Sequence, residues 1–493
     1  MKRSDLLIGI DVGTTAVKAG LLDQSGQILD YVSQPCRTMR REGGIVEQNA
    51  NEWLQPIEIA FSQFSSEMKH VAAIGMCSQV NTHIFVGKDG DPLAPAILWQ
   101  DVRADAEARE LDAAVSPEQR IAWWGAPMPI DASHVLSRML WMARHRPDIW
   151  QDTAFVMLPK DYCAFKLTGQ LATDGLSNIG LVDQHLQPIP DVLKLVPGAA
   201  DRLVPVRDVL AVIGEIRAGP AAGIALANGT MDGWTGLLGC GAAAEGTTAY
   251  LSGTSEILGI TSQSVQPTPG IIVFPPCQNI RIHAGPTQSG GAAKLWYGQM
   301  TGQSPQEMAA TAAASDFAKP APIFIPHLQG ERAPIWRSHT RGVFLGLDHT
   351  TSAADMARSV YEGVAFSVRL LLQALQQSSG ISSGPIHCGG GGFQSDIWNQ
   401  IRADILGREL RRVAVTDTGV LGAAGIAACA VGLHPSLSAA FEQIVRFDAA
   451  YQPNSSLKSR YDALFDIYVN AIDANEALNR AFLDVAKLSI DAK

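Results

Sequence analysis

The sequence predicts an α/β protein with more than one domain. The chain has 493 residues, a length that favours several domains, each able to bury its own core. Apolar strands and helical patterns alternate along it, and residues 8–18 place a Gly-Thr-Thr turn between two apolar strands. The same order of strand, Gly-Thr-Ser turn and strand returns at residues 247–260, almost halfway along the chain. The recurrence predicts one turn of this kind in each half.

Composition and charge exclude several classes of protein. The hydrophobic set is 46% and charged residues are 17%, which indicates a globular chain rather than a disordered one. The net charge of −10 comes without a basic block, so nucleic acid is not an expected partner. Seven cysteines, an odd number with no CxxC pair, favour a reducing compartment over a disulfide framework or a zinc site.

No stretch predicts a signal peptide or a membrane span. Asp5 and Asp11 bracket the first apolar run and leave it too short for a signal peptide. The longest run of small apolar residues, 421–433, is broken by glycines and is too short to cross a bilayer. We therefore expect a cytoplasmic protein that has no membrane partner.

The first turn predicts a phosphate-binding site. Because Gly13 has no side chain, the backbone N–H groups of the turn can close on an anion. Thr14 and Thr15 add hydroxyl donors, Lys18 adds a positive charge, and Asp11 could hold a metal ion that rides on the phosphates. The segment matches neither the GxxxxGK[ST] loop nor GxGxxG, and alone it would indicate only a β-turn.

The second turn strengthens this interpretation. Gly253, Thr254 and Ser255 repeat the turn, with Ser252 at the position that Asp11 has in the first copy. Two such turns facing each other would clamp one polyphosphate from both sides, and only the first is suited to a metal ion. The alternative is a chance recurrence of turn chemistry.

Two strand ends in the first half carry side chains suited to a sugar. Gln79 and Asn81 follow a buried strand, and each offers both a donor and an acceptor to a hydroxylated substrate. Trp99, Asp101 and Arg103 alternate at another strand end, so all three can face one side. Two alternatives stay open, namely amides that satisfy loop backbone and a structural Asp–Arg pair.

Asp232 is the candidate general base. An apolar strand ends there in glycine and a single carboxylate, some twenty residues before the second turn. A carboxylate near a bound γ-phosphate can accept the proton of an attacking hydroxyl. Asp232 also suits the N-cap of a helix that starts at Gly233, and both roles can hold at once.

The second half adds a glycine loop and a packing helix. Residues 389–392 are four glycines between a short apolar strand and a helix, so backbone can approach a flat ligand or a phosphate closely there. Residues 455–485 carry aromatic and aliphatic side chains at helical spacing, and we interpret them as one packing helix without a catalytic role.

Taken together, these motifs resemble the FGGY carbohydrate kinases. The resemblance spans nearly the whole chain and is highly specific in combination. In chain order the motifs are Asp11-Val-Gly-Thr-Thr, Trp99-Gln-Asp-Val-Arg103, Pro159-Lys-Asp-Tyr162, Asp232, Ser252-Gly-Thr-Ser255, Gly330-Glu-Arg-Ala-Pro334, residues 342–363 and the loop at Gly389.

The resemblance implies two actin-like (ribonuclease H-like) domains, each a mixed sheet flanked by helices, which close over ATP and a sugar in the cleft between them. We expect the N-terminal domain to cover residues 1–246 and the C-terminal domain residues 247–493. The implied cofactors are ATP and Mg²⁺. The implied partner is a small sugar or polyol, and the sequence leaves open whether the protein forms a homodimer.

The resemblance also implies residue roles, position by position. Asp232 matches the family's catalytic base and Asp11 its Mg²⁺-associated acid. Gln79, Asn81, Trp99 and Asp101 are expected on the sugar side together with Asp232. Residues expected to contact the nucleotide are Gly13, Thr14, Thr15, Lys18, Gly253, Thr254, Ser255, Gly291, Gly390, Gly391 and Ser395.

Within the family, two sequence blocks look closest to xylulokinases, which predicts phosphorylation of D-xylulose to D-xylulose 5-phosphate. Two departures bear on the substrate. Val80 and Asn81 stand where those enzymes usually have Met-His, and Gly233 stands where an Asn or Gln usually follows the base. The alternatives are a kinase of another ketose or of a polyol such as erythritol, a silent sugar sensor, or an actin-like ATPase without a sugar substrate.

Overall fold

The computed structural model describes residues 5–488, and of residues 486–488 the backbone alone. The strands are Leu6–Val12 (β1), Ala16–Leu22 (β2), Ile28–Pro35 (β3), Met39–Arg41 (β4), Ile45–Gln48 (β5), Val71–Ser78 (β6), Ile84–Val86 (β7), Ala96–Ile97 (β8), Phe155–Met157 (β9), Thr173–Asp174 (β10), Val206–Arg207 (β11), Val212–Glu215 (β12), Ala225–Ala227 (β13), Thr230–Met231 (β14), Thr248–Ser252 (β15), Glu256–Thr261 (β16), Ile272–Val273 (β17), Ile282–Pro286 (β18), Ile323–Ile325 (β19), Val343–Leu345 (β20), Ile386–Gly389 (β21), Leu410–Val413 (β22) and Phe447–Tyr451 (β23).

The α-helices lie between and after these strands. They are Leu54–Gln63 (α1), Asp105–Ala114 (α2), Pro117–Trp124 (α3), Val135–His145 (α4), Pro147–Asp152 (α5), Pro159–Thr168 (α6), Pro190–Leu193 (α7), Asp232–Gly239 (α8), Gly291–Thr301 (α9), Pro305–Ala313 (α10), Ala353–Ser379 (α11), Asp396–Leu406 (α12), Thr418–Ala430 (α13), Leu437–Ile444 (α14), Lys458–Ala474 (α15) and Glu476–Leu488 (α16). Within the described part of the chain, every helix is too short or too polar to span a bilayer. The predicted α/β class is confirmed.

The chain divides into two compact units. The first contains the described residues up to Gly239 together with Pro275–Asn279 and Asp417–Val445. The second contains Cys240–Phe274, Ile280–Thr416 and the described residues from Arg446 onward. The units depart from a single division at residue 246, because α13 and α14 pack in the first unit although they follow the second turn in sequence.

The first unit is built on a mixed sheet in the order β12-β13-β6-β1-β2-β3, with β14 also paired to β6. β13, β6 and β1 run parallel, whereas β1, β2 and β3 form an antiparallel meander. Glycines in the sheet let α13 pack directly on it. A Cβ at Gly9 would lie 2.0 Å from the Val420 carbonyl oxygen, and one at Gly75 would lie 1.9 Å from that of Ala423. This close packing explains why the helix belongs to the first unit.

The second unit repeats the mixed architecture. Its sheet has the order β17-β18-β16-β15-β21-β22-β23, in which β15, β21 and β22 are parallel and the other pairs antiparallel. The long helix α11 packs against β16 and β18. Ser352 and Asp355 form a capping box at its start, and Gly380 ends it in the left-handed conformation with φ +74°.

The prediction of a single packing helix at residues 455–485 is wrong in one respect. Two helices, α15 and α16, occupy this stretch and are separated at Asn475. The Asn475 side chain donates to the Ala471 carbonyl oxygen at 2.7 Å, and Glu476 accepts hydrogen bonds from His339 and Arg480. These bonds accompany the end of α15 and the start of α16, where hydrophobic spacing alone indicates one continuous helix.

Candidate active site

Asp11 and Asp232 lie at the carboxyl edge of the first unit's parallel strands. Asp11 on β1 is paired with Cys77 on β6, and Thr230 on β14 is paired with the same Cys77 from the other side. β14 ends at Met231, and Asp232 then begins α8. The two carboxylates therefore flank the end of one strand, and this edge is where open α/β sheets bind ligands.

Burial raises the pKa of both carboxyl groups. Burial, followed by the negative charge of Asp11, raises the pKa of Asp232 to about 7. Burial also raises the pKa of Asp11 to about 6, against the lowering effect of Lys18. A carboxylate whose pKa is near the operating pH suits proton transfer at neutral pH.

The surroundings of Asp232 leave room for a substrate. The Gly233 N–H donates to Asp232 Oδ1 at 2.7 Å, and Asp232 is itself the first residue of α8, so the predicted role as the N-cap before Gly233 stays a prediction. A Cβ at Gly233 would have no heavy atom within 4 Å. The position beside the candidate base is therefore open space, where the resembled enzymes have an amide side chain.

Asp11 has an oxygen suited to a metal ion. Its Oδ1 is buried and has no hydrogen-bond partner. Among residues 5–488, no group of three or more His, Cys, Asp and Glu side chains forms a ready metal site. A divalent ion here would therefore need its remaining ligands from water or a bound phosphate, as Mg²⁺ commonly does.

Lys18 is held by a residue that the sequence reasoning missed. Its Nζ donates to Asp417 Oδ1, and the Tyr31 hydroxyl donates to Asp417 Oδ2 at 2.6 Å. Although burial opposes its charge, the hydrogen bond to Asp417 raises the pKa of Lys18. Asp417 precedes α13 and lies 399 residues from Lys18, so no local pattern signals the pair.

Thr14 is fixed by side chains from three other segments. Its hydroxyl donates to Gln79 Oε1 at 2.9 Å and accepts from the Trp99 indole N–H at 3.0 Å. Gln48, also missed from sequence, donates to the Thr14 carbonyl oxygen at 2.7 Å and accepts from Gln79 Nε2 at 3.3 Å. The network fixes the turn, whereas the Thr15 side chain at its tip is exposed.

Gly13 holds the turn through its backbone. Its N–H donates to the Ala16 carbonyl oxygen at 3.1 Å. A Cβ at Gly13 would lie 3.0 Å from the same oxygen, a tight contact that favours glycine. The phosphate-binding role predicted for this turn stays a prediction.

Asp101 forms the structural ion pair with Arg103 that the sequence offers as an alternative to a sugar contact. Its side chain is fully buried and accepts from Arg103 Nε at 2.9 Å and from the Val46 N–H at 2.6 Å. Arg103 also pairs with Glu47 at 2.8 Å. This arrangement favours the Asp–Arg pair, and contact of Asp101 with a substrate stays a prediction.

Asn81 lies on a strained backbone. Its φ is +54°, in the left-handed region that non-glycine residues rarely adopt. Its Nδ2 donates to Ser133 Oγ at 3.2 Å, and Ser133 in turn donates to Asp131 at 2.7 Å. Asparagine adopts this region more readily than most other non-glycine residues, and contact of Asn81 with a substrate stays a prediction.

In the second unit, a buried arginine closes the base of the second turn. Arg402 donates to Ser252 Oγ at 2.7 Å and to Glu256 Oε1 at 3.3 Å. Its guanidinium carbon lies 3.6 Å from the Trp398 ring centroid. Thr254 is exposed at the tip of this turn, as Thr15 is in the first unit.

The predicted glycines of the second unit gather around this turn. Gly390 has φ +96°, and a Cβ there would lie 2.5 Å from the Ser252 carbonyl oxygen. Gly291 donates its N–H to the Gly253 carbonyl oxygen at 3.0 Å. Gly391, by contrast, faces open space. Thus Gly390 and Gly291 permit close packing, and Gly391 leaves backbone accessible.

Ser395 has an unsatisfied polar atom near the same loop. It lies just before α12, and its Oγ is buried without a hydrogen-bond partner. Buried hydroxyls are normally hydrogen-bonded, so this oxygen fits a ligand contact.

Comparison with known proteins identifies the family. The model of the N-terminal domain of the FGGY family of carbohydrate kinases matches residues 6–232, and that of the C-terminal domain matches residues 248–431. The chain belongs to the FGGY family of carbohydrate kinases. It is therefore an ATP-dependent kinase of a small sugar substrate, which decides against the actin-like ATPase alternative.

Similar proteins agree with this family over almost the whole chain. A xylulose kinase of Staphylococcus epidermidis is 27% identical over 482 residues, covering 94% of this chain and 96% of the relative. The solved structure of a ligand-bound xylulose kinase from Lactobacillus acidophilus superposes with a TM-score of 0.87 at 25% identity, covering 97% of this chain and 99% of its own. A gluconate kinase from the same organism has a TM-score of 0.86, also at 25% identity, with coverage of 97% and 99%.

Proposed function

We propose that this kinase transfers the γ-phosphoryl group of ATP to D-xylulose and forms D-xylulose 5-phosphate. Support comes from the similar proteins named xylulose kinase, which cover almost the whole chain. The second candidate is a kinase of another ketose or of a polyol such as erythritol. Asn81 and Gly233 favour it, because both replace side chains of the resembled sugar pocket.

The position and the raised pKa of Asp232 are the main structural support for phosphoryl transfer. Asp232 is a half-buried carboxylate at a strand end, with its pKa raised to about 7 by loss of solvation and then by Asp11, and open space lies beside it at Gly233. The acceptor hydroxyl would lose its proton to Asp232 as its oxygen forms a bond to the γ-phosphorus. The bond from that phosphorus to the bridging oxygen breaks, and ADP leaves with the electron pair.

We propose Asp11 as the residue that holds Mg²⁺, because its Oδ1 is buried and unpartnered. A bound Mg²⁺ would supply positive charge next to the transferred phosphoryl group. The chain's own contribution is to keep this carboxylate free, with Lys18 and Asp417 paired to each other nearby. A titration of activity with Mg²⁺ should therefore require much higher Mg²⁺ for Asp11→Asn than for the unaltered protein.

For the nucleotide, we propose direct contacts from Thr15, Thr254 and Ser255 and from the accessible backbone of Gly253 and Gly391. Ser395 would satisfy its free Oγ on the ligand. A supporting role in shaping these turns is proposed for the residues already engaged within the protein, namely Gly13, Thr14, Gly291 and Gly390.

The test is ADP release from purified protein with Mg-ATP and a panel of ketopentoses, aldoses, tetritols, pentitols and glycerol. A strong response to D-xylulose alone supports the proposal. A stronger response to another ketose or a polyol would identify that compound, rather than D-xylulose, as the substrate. ADP release that no acceptor stimulates would contradict the proposal.

Gly233→Asn sharpens this test. The variant restores the amide that usually follows the base, and the open space at Gly233 can accept its side chain. If Gly233 tunes the acceptor site, the ranking of acceptors should change while the KM for ATP stays constant. An unchanged ranking would remove Gly233 from the acceptor site.

A further inference from the structure

Arg138 is a buried arginine whose terminal nitrogens point at backbone carbonyls. It lies in the first turn of α4 and its side chain is 0% exposed. One terminal nitrogen donates to the carbonyl oxygens of Asn81 and of Ile97, the latter at 2.9 Å. The other donates to the Leu98 carbonyl oxygen. A single guanidinium therefore ties a loop residue to the end of a strand in another segment.

The neighbouring histidine is arranged to accept from the same arginine. His83 Nδ1 lies 2.9 Å from Arg138 Nη1, whose two N–H groups face the Asn81 and Ile97 carbonyl oxygens. Because arginine has only donors, the ring nitrogen can act only as an acceptor that shares one of these protons. Burial, followed by the charge of Arg138, lowers the pKa of His83 well below its usual value and keeps the ring neutral. The carbonyls stabilise the charge of Arg138 directly, and the negative charges of Asp101 and Asp131 stabilise it from a greater distance.

The two segments that Arg138 joins carry the proposed acceptor residues. Asn81 has the left-handed backbone with φ +54°, and its carbonyl accepts from Arg138. Leu98 directly precedes Trp99, whose indole donates to Thr14. The Asn81 side chain is held separately by Ser133, just before the start of α4. Backbone and side chain of Asn81 are thus both fixed from the region of this helix.

We propose that Arg138 is a positioning residue for acceptor specificity: its bonds to the Asn81, Ile97 and Leu98 carbonyls set the spacing between Asn81 and Trp99. This inference rests on the proposed function, because it assumes that the acceptor binds beside those two side chains. It requires no contact between Arg138 and the acceptor. A site held at fixed spacing distinguishes hydroxyl patterns, whereas a loosened one accepts them more evenly.

The chain offers a matched control in Arg120. This arginine of α3 is also buried, and it donates to the carbonyl oxygens of Asp112 and Val115, the latter at 2.9 Å. Arg120→Met removes a carbonyl-bound guanidinium that also pairs with the Asp112 carboxylate at 2.8 Å, and that has no bond to the Asn81 or Leu98 segments. It reports the general effect of losing such a residue.

The experiment compares Arg138→Met, Arg138→Lys and Arg120→Met, using the best and second-best acceptors of the panel. The ratio of kcat/KM for the two acceptors does not depend on the fraction of folded enzyme. We expect both Arg138 variants to raise the KM for the best acceptor about tenfold and to lower the ratio at least about threefold. The KM for ATP should change less than about twofold, and Arg120→Met should leave the ratio unchanged.

Several outcomes would overturn the inference. It fails if the Arg138 variants keep the ratio of the unaltered enzyme, or if Arg120→Met changes that ratio equally. Should Arg138→Met not fold, Arg138→Lys decides, because lysine keeps the buried charge but lacks the planar fork. Absence of acceptor activity in the unaltered protein overturns the proposed function and this inference with it. Normal activity with unaffected variants overturns the role of Arg138 alone.

Discussion

The two Gly-Thr turns each join two antiparallel strands, and they differ in how they close and in the acidic residue beside them. In the first turn the Gly13 N–H donates to Ala16 at 3.1 Å, and in the second the Gly253 N–H donates to Ser255 at 3.0 Å. Asp11 of the first turn keeps a buried carboxylate oxygen without a partner. Glu256 of the second is bound by Arg402. The acid before the first turn therefore keeps an unpaired oxygen, whereas the acid after the second turn is neutralised by an arginine.

The cations of the two turns differ in burial as well. Lys18 and Asp417 form a pair whose side chains are 31% and 21% exposed, whereas those of Arg402 and Glu256 are both 0% exposed. A partly exposed pair contributes little to stability, but breaking a fully buried one leaves an uncompensated charge. The buried pair therefore contributes to the stability of the second turn, whereas the partly exposed pair beside the first turn contributes little.

The largest effect is expected from replacing Asp232, the proposed base of the first unit. Asp232→Asn keeps the size of the side chain and removes the proposed base, so kcat should fall about 10³-fold. ATP binding, measured by calorimetry, should stay close to that of the unaltered protein. A kcat within about tenfold of normal would remove Asp232 from the role of base.

The same variant has a pH signature. The pKa of Asp232 is raised from 3.8 to about 7 in the folded protein, so the folded state holds this proton more tightly than the unfolded state does. That stabilisation is complete below pH 3.8 and is lost as the pH rises through about 7. Asp232→Asn should therefore raise Tm relative to the unaltered protein at pH 8 and have little effect near pH 4. Equal Tm differences at both pH values would contradict the burial of this charge.

The second prediction concerns stability in the other turn. Glu256→Gln leaves Arg402 buried without its carboxylate, which should lower the unfolding free energy of the second unit by about 3 kcal/mol. Calorimetry of the whole chain would resolve this as a lower transition temperature. The double variant Glu256→Gln with Arg402→Met should recover part of the loss, because it removes both charges. No recovery would mean that the pair does not act as a unit.

Lys18 gives the third and smaller effect. If Lys18 contacts phosphate as predicted, Lys18→Met should raise the KM for ATP about tenfold. The control is the double variant with Asp417→Asn, which removes the acid that Lys18 leaves unpaired. A KM restored in the double variant would show that Lys18 acts only by pairing with Asp417, and would contradict the phosphate contact.

Sequence reasoning succeeded where the signal is local. Short runs of consecutive residues predict both turns and the strand end at Asp232. The predicted family and fold class are confirmed. It missed Asp417 and Arg402, because each meets its partner over a sequence separation of more than a hundred residues. Side-chain types alone cannot indicate which distant segment will supply a partner.

The same limit explains the residues whose interpretation was left open. Asp101 and Arg103 alternate on one strand, a pattern equally typical of a sugar wall and of an ion pair. The pair is observed because β5 brings the Val46 N–H and Glu47 to the two side chains. At the C-terminal end, hydrophobic spacing does not reveal the break at Asn475, where Asn475 bonds back to Ala471 and the distant His339 bonds to Glu476.

The smallest expected effect separates two adjacent glycines of the second unit. Gly391 faces open space, so Gly391→Ala should fold normally and place a methyl group on the surface proposed to meet the nucleotide. We expect Tm to be unchanged and the KM for ATP to rise about threefold. Gly390→Ala is the matched control, since φ is +96° there and a Cβ would lie 2.5 Å from the Ser252 carbonyl oxygen. This control should lower the unfolding free energy by about 1–3 kcal/mol. An unchanged KM for ATP in Gly391→Ala would place the nucleotide away from this loop.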